Sequence, residues 1–570
     1  MNIRQISTIA VSGLIVTAMA VALINKSIDS GFAISGIWTV IPPLAAISLA
    51  FVTQNVVLSL LVGVLVGSFL LNVNGNLFES VSASFIVSTE YMLEVISDSW
   101  NAGIVLQCLT IGGCVGVITR LGGARSIAKA LSKFAKGRIS AQIVAFFMSV
   151  VIFFDDYAGA IIAGPIARPI TDKFKISRER LCFIIDSTAA PIAGIALIST
   201  WIGAEISYIK SGLDLAGITD ISPYALFVST IPYRFYNILA IAFVVISSVM
   251  LRDYGPMVEA QNKVFRDGFV SGTETDANSE MDPLLLPKDE NSSIWLAVIP
   301  LAILVFGSFI GFYLNGRAAI LESGSVEAIN IMVNHPFSFD ALREAFGEAD
   351  ASIVIFQVAL FASVAAILLG VLAKKFNIAE GIEVWLAGVK NLMIIGVILI
   401  LVWALTSTVY DLEMAAFLVE ALEGTLPVFL LPAIIFALAA LTSFATGTSF
   451  GTMGILLPMA IPLAHQFMPG DMGFLYACSG AVLTGAIFGD HCTPISDTTI
   501  LSAMGCSCDI LAHVKTQMPY ALTVAGITLV FAYLPMGLGV SLWVLWPICL
   551  GLIVLVLFLF GKRTDKINEN

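Results

Sequence analysis

Five carboxylates stand in or beside long apolar runs: Asp155, Asp156, Asp186, Asp490 and Asp497. An ionisable side chain at membrane depth costs about 2.5–3.5 kcal/mol on insertion scales, so it marks an ion or substrate pathway by default. Each of these residues has hydroxyl neighbours. In the second half the run Gly489-Asp490-His491-Cys492-Thr493-Pro494-Ile495-Ser496-Asp497-Thr498-Thr499 combines acids, hydroxyls and helix breakers, and Thr446, Thr448, Ser449 and Thr452 form a second hydroxyl-rich stretch. In the first half Ser187 and Thr188 follow Asp186, with Pro191 close behind. Carboxylates, hydroxyls and carbonyls freed by Pro and Gly are the oxygen ligands a hard cation prefers. The pattern therefore predicts a cation site, with Na+ held at Asp155, Asp186, Asp490 and Asp497. His491 could exchange protons near neutral pH, or stay neutral and donate to a backbone carbonyl. Any single Ser or Thr here serves equally well by satisfying the backbone next to Pro or Gly.

The chain around these residues is 58% hydrophobic and 12% charged, with a mean hydropathy of +0.96. Soluble domains carry about 25% charged residues, so lipid must be the main solvent. The net charge of −12 resides largely in loops and gives no footprint for nucleic acid. The eight cysteines lie mostly in apolar sequence and read as free core residues. A bilayer span needs about 20 apolar residues. Runs that approach this fall at 6–24, 37–52, 54–72, 102–119, 181–204, 232–251, 293–313, 353–373, 389–409, 473–489, 519–536 and 540–561. The first resembles a signal peptide, with Ala18-Met19-Ala20 as a small-residue site, but the following spans favour its retention.

Lys and Arg gather on the cytoplasmic side of membrane proteins. Residues 120–138 carry Arg120, Arg125, Lys129, Lys133, Lys136 and Arg138 without an acid, whereas 73–101 carry Glu79, Glu90, Glu94 and Asp98 without a base. The stretch 168–180 is also basic, so 140–167 must enter and leave on one side, as a re-entrant hairpin with Asp155-Asp156 near its tip. The same count makes 428–468 a hairpin entered from outside, tipped by Thr442 to Thr452, and sets both termini in the cytoplasm. Each hairpin precedes a broken helix, at about 181–204 and about 473–504, and Pro165 and Pro169 are echoed by Pro458 and Pro462. The expected fold is an all-α polytopic membrane protein of about 12 spans plus two re-entrant hairpins, in two inverted-topology repeats. The halves are 1–251 and 293–570, joined by an acidic cytoplasmic loop at 252–292. Inverted halves with interrupted helices place the site at the midplane between them. Glu205 reads as a rim residue, and 314–350 as a long external segment.

Two other chemistries compete for these residues. His491, Cys492, Cys506, Cys508 and His513 are soft ligands, but their spacing matches no structural zinc signature. Tyr410-Asp411 and Gly489-Asp490 approach the paired motifs of intramembrane aspartyl proteases, yet the second lacks its first glycine. The 489–499 run, together with Phe153-Phe154-Asp155-Asp156-Tyr157-Ala158-Gly159, Asp186 to Pro191, Ser199 to Gly203 and Thr446 to Thr452, resembles the signature of the NhaC-type sodium/proton antiporter family. That resemblance covers roughly 150–505. It implies cation-coupled secondary transport in a bacterial inner membrane, with no cofactor beyond the transported Na+ and H+. Some members resemble carriers of small amino acids or carboxylates, which is the alternative cargo. The resemblance leaves room for a homodimer and does not imply an enzyme.

Overall fold

The computed structural model describes residues 3–564, apart from 29–34, 54, 124–125, 127–129, 154–155, 198, 268–282, 286–291, 324–325, 415–416, 418–420, 422–425 and 495. Where no water reaches, backbone polar groups must be satisfied within each segment, and the helix does this. Helices accordingly dominate. The first half contains α1 (Ile3–Ile28), α2 (Ile41–Thr53), α3 (Val56–Leu71), α4 (Leu77–Ser97), α5 (Ser99–Arg120), α6 (Arg138–Val151), α7 (Asp156–Lys173), α8 (Arg178–Ala193), α9 (Ile202–Ala216), α10 (Pro223–Thr230) and α11 (Phe235–Met250). After β1 (Arg252–Asp253) and α12 (Pro256–Asp267) come α13 (Trp295–Ser323), α14 (Val326–Asn334), α15 (Phe339–Glu348), α16 (Ala351–Leu372) and α17 (Ile378–Asp411). The chain closes with α18 (Leu431–Thr446), α19 (Ser449–Phe467), α20 (Met472–Cys492), α21 (Asp497–Cys506), α22 (Ile510–Ile527), α23 (Leu542–Phe560) and β2 (Lys562–Arg563).

Side chains cap many helix starts. Asp98 accepts from the Asn101 amide at 3.0 Å, Ser177 from Arg180 at 3.2 Å and Asp471 from Phe474 at 3.0 Å. Such caps satisfy amides that a helix cannot pair internally.

The same series recurs in each half: a helix–turn–helix pair, a helix that breaks, and a continuation. In the first half these are α6–α7, then α8 and α9; in the second, α18–α19, then α20 and α21. The returning helix of each pair holds two internal prolines, Pro165 and Pro169 in α7 and Pro458 and Pro462 in α19. Packing is crosswise: α9 lies on α19, and α21 lies on α7. The α7–α21 crossing is tight, because a Cβ on Gly505 would stand 2.5 Å from the Ala160 carbonyl oxygen. The turn between α18 and α19 needs Gly447, whose φ of +70° lies in the left-handed region.

By length and apolarity, nine helices among the described residues could cross a membrane. Counting α10–α11, bent by 47° around Arg234, makes ten, and four further apolar helices are shorter. The expected total of about 12 is therefore not reached on that test. Segment 314–350 is helical rather than an extended loop: α13 runs on to Ser323, and Asn315 accepts from the Asp350 amide at 2.8 Å. The breaks also move. Asp186 to Pro191 lie inside continuous α8, and the break falls at 194–201. Pro191 sits in the last turn of α8, so its missing amide costs the helix one bond near its end and does not stop it before Ala193. The second break, 493–496, does fall inside the expected run, where Pro494 cannot extend α20.

Candidate functional site

Asp186 lies on the buried face of α8 and is 2% exposed. Its oxygens accept from Ser502 of α21 at 3.2 Å, His513 of α22 at 3.1 Å and Gln517 of α22 at 2.6 Å. The His491 ring stands 3.9 Å away. A first-half carboxylate is thus held entirely by second-half side chains. Four packed elements converge on it, which is what buries it.

His491 lies in the last turn of α20 and has both ring nitrogens engaged. Nε2 meets the Ser187 hydroxyl at 3.0 Å and Nδ1 meets the Tyr236 hydroxyl of α11 at 2.7 Å. The end of α20 leaves carbonyls without helical partners. The Gln517 amide donates to the His491 carbonyl, and the Thr499 hydroxyl donates to that of Asp490 at 3.4 Å. Gln517 therefore ties the α20 end to Asp186 through one nitrogen.

Asp490 faces the other way, toward the α18–α19 turn. Its Oδ2 accepts from Ser449 at 3.0 Å. Ser449 opens α19, so the carboxylate sits at a helix N-terminus, where the backbone dipole favours negative charge. Ser443 and Ser449 both donate to the Ala486 carbonyl and fasten the turn to α20. Gly489 permits this contact, since a Cβ there would lie 2.4 Å from the Phe444 nitrogen.

The expected site residues divide into three groups. Asp186, Ser187, His491, Asp490 and Ser449 form the connected polar core just described. Thr188, Thr446 and Thr452 donate to helix carbonyls at Ile184, Ser443 and Thr448, and Thr448 caps α19. Ser496 bonds to Thr498 at 2.8 Å, and Thr493 is buried at the end of α20. Asp156 is buried at the start of α7. Asp155 and the Asp497 side chain lie outside the described residues.

Sequence reasoning passed over Ser502, Gln517 and Tyr236, and weighed His513 only as a zinc ligand. The signal was available: His513 and Gln517 are four residues apart on one face of a mostly apolar helix. Glu205 is a correction. It is not a rim residue but fully buried, paired with Arg234 at 2.9 Å. The Tyr410-Asp411 pair is also set apart: Tyr410 is exposed, and Asp411 accepts from Tyr91. These two residues line a cavity of about 510 Å³ with Glu94, Asp98 and Asp214.

A nearly all-helical, strongly apolar chain with buried, hydroxyl-lined carboxylates packed between two broken helices is a multi-pass membrane transporter and not an enzyme. Residues 192–538 match the Na+/H+ antiporter family, and the chain belongs to that family. It is 32% identical over 510 residues to an uncharacterized protein of Haemophilus influenzae, covering 89% of this chain and 92% of that one. It is also 37% identical over 92 residues to the malate-2H+/Na+-lactate antiporter of Bacillus subtilis, covering 16% of this chain and 18% of that one. Its fold is similar to the crystal structure of the Alcanivorax borkumensis YdaH transporter. That likeness has a TM-score of 0.51 at 15% identity, covering 81% of this chain and 90% of that chain. The matched family span begins just after Asp186 and contains the whole 489–499 run. The chain is a cation-coupled secondary transporter.

Proposed function

We propose that this transporter exchanges Na+ for H+ at the junction of the two broken helices. Asp186 and Asp490 are the carboxylates that alternate between the ions, with Ser187, Ser449 and His491 beside them. The observation that carries this reading is the inter-half polar core. A buried carboxylate from one repeat is held only by donors from the other, so its hydrogen bonds must re-form when the repeats move. Recurrence of the element series and crosswise packing support an inverted repeat. The acid-free basic segment 120–138 supports a cytoplasmic N-terminus in a bacterial inner membrane. Pairing of Arg252–Asp253 with Lys562–Arg563 supports the C-terminus and the linker lying on that same side. In inverted vesicles, Na+ should dissipate an imposed proton gradient, and Asp490→Asn should abolish the response. No response to Na+ or Li+ at any pH from neutral to alkaline would count decisively against it.

A second reading, symport or exchange of a small carboxylate or amino acid, is favoured by the Bacillus subtilis relative, whose name specifies malate and lactate. Cation-dependent uptake of a labelled solute into proteoliposomes tests it.

A further inference from the structure

The break between α8 and α9 gathers buried polar atoms that the cation reading does not use. Arg234, at the bend before α11, is fully buried. Its Nε donates to Thr230 at 3.1 Å and its Nη1 donates to the Gly194 carbonyl and pairs with Glu205 at 2.9 Å. Its Nη2 has no hydrogen-bond partner among the described residues. Apart from the ion pair, neither Glu205 oxygen accepts a hydrogen bond. Asn237, one turn beyond Arg234, donates to the Pro191 carbonyl at 3.1 Å, while its own oxygen stays unpaired. Trp201, one turn before Glu205, has an unpaired and buried indole nitrogen.

A purely structural ion pair would be expected to look different. A guanidinium matches a carboxylate through two parallel bonds. Here the pair makes one contact and strands a donor on Arg234 and an acceptor on Glu205. A buried unpaired polar group forfeits its bonds to water without replacement, and such groups in a native fold call for an explanation. The stranded set is two donors, Arg234 Nη2 and Trp201 Nε1, and two acceptors, on Glu205 and Asn237. At the one contact that joins this set, Arg234 to Glu205, a ligand satisfies both stranded groups by presenting a carboxylate to the guanidinium and a hydrogen-bond donor to Glu205.

We propose that Arg234 and Glu205 form a binding site for a small carboxylic acid bearing a hydroxyl or ammonium group on the adjacent carbon. The carboxylate of the ligand takes the guanidinium fork. Its neighbouring donor takes Glu205, which in the closed pair stands where the ligand carboxylate would bind. The Phe227 ring, 4.7 Å from the guanidinium carbon, backs the site. This deepens the solute-carrier reading and is independent of the Na+/H+ one.

The test measures thermal shifts of the purified full-length protein with L-lactate, L-malate, L-alanine and propionate, with Na+ run in parallel. A substituted acid should raise the melting temperature, because it binds the folded state, and propionate should not. Glu205→Gln keeps the side-chain shape and distinguishes the sources. A hydroxy acid should bind about tenfold tighter once the competing charge is gone, and an amino acid about tenfold weaker once its ammonium loses that charge. Two results overturn the site: no acid stabilises the protein while Na+ still does, or an acid binds with affinity unchanged in both Glu205→Gln and Arg234→Lys. In the first case the cation reading stands untouched.

Discussion

Gly505→Ala probes the crossing that brings the second broken helix against the first-half helix pair. Two terms of opposite sign act there. Alanine improves helix propensity over glycine by about 0.8–1.0 kcal/mol. Against that, the new Cβ would lie 2.5 Å from the Ala160 carbonyl oxygen, where ordinary contact begins at 3.4 Å. The obstacle is backbone, so no rotamer change relieves it, and α7 and α21 must part by nearly an ångström. Gly164 tightens the same crossing from the other side, since a Cβ on it would stand 2.7 Å from the Gly505 carbonyl carbon. Overpacking of this kind costs about 1–3 kcal/mol; because the obstacle is backbone the upper end applies, and after the propensity gain the variant should be less stable by up to about 2 kcal/mol. Gly526→Ala in α22 is the control, because a Cβ there meets nothing within 4 Å. Thermal unfolding of the purified protein should show a lowered midpoint for Gly505→Ala and an unchanged or raised one for Gly526→Ala. Ion-exchange rates should fall with the first variant, since Ser502 sits on the displaced helix and holds Asp186. If Gly505→Ala melts at or above the parent while the control behaves as stated, the close crossing is wrong.

Two further substitutions test the polar networks. Asp253→Ala leaves the buried Arg180 guanidinium without its counter-charge, and breaking a buried pair in this way costs about 3–5 kcal/mol; folded yield by size-exclusion chromatography should drop sharply. Tyr236→Phe removes one hydrogen bond to His491 and should cost about 1 kcal/mol, a modest fall in melting temperature, and an intact exchange activity with an altered pH profile would show that the ring is held for proton work.

Much of this was legible in the sequence because lipid simplifies the rules. Low charge content fixed the solvent, basic runs supported an orientation, and misplaced acids marked the interior. Asp186, Asp490 and His491 were found on those grounds alone. The positions of the breaks were less legible. Pro191 looked like a terminator, yet a proline close to a helix end displaces little, and α8 runs on to Ala193. Hydroxyls carry less information than acids: Thr188 and Thr452 give their protons to their own helices, the alternative that any Ser or Thr beside Pro or Gly leaves open. Gln517 and Glu205 were missed or misplaced because their importance lies in who faces them. Nothing in the spacing of Glu205 announces Arg234, which arrives from the bend before α11.

The small ribbon formed by Arg252–Asp253 and Lys562–Arg563 bears on how the chain is assembled. Asp253 accepts from Arg180 and from Tyr520, both at 2.9 Å, and its other oxygen accepts from Thr564 at 3.1 Å. Thr564 also donates its amide to the Leu251 carbonyl at 3.0 Å. Arg180 and Asp253 stand far before the groups that complete their shell, Tyr520 and Thr564, in the chain. The charge pair is therefore fully dressed only once those later segments have folded back onto it. A chain cut short before Lys562 would lack both the ribbon and the Thr564 contacts and leave that seam open.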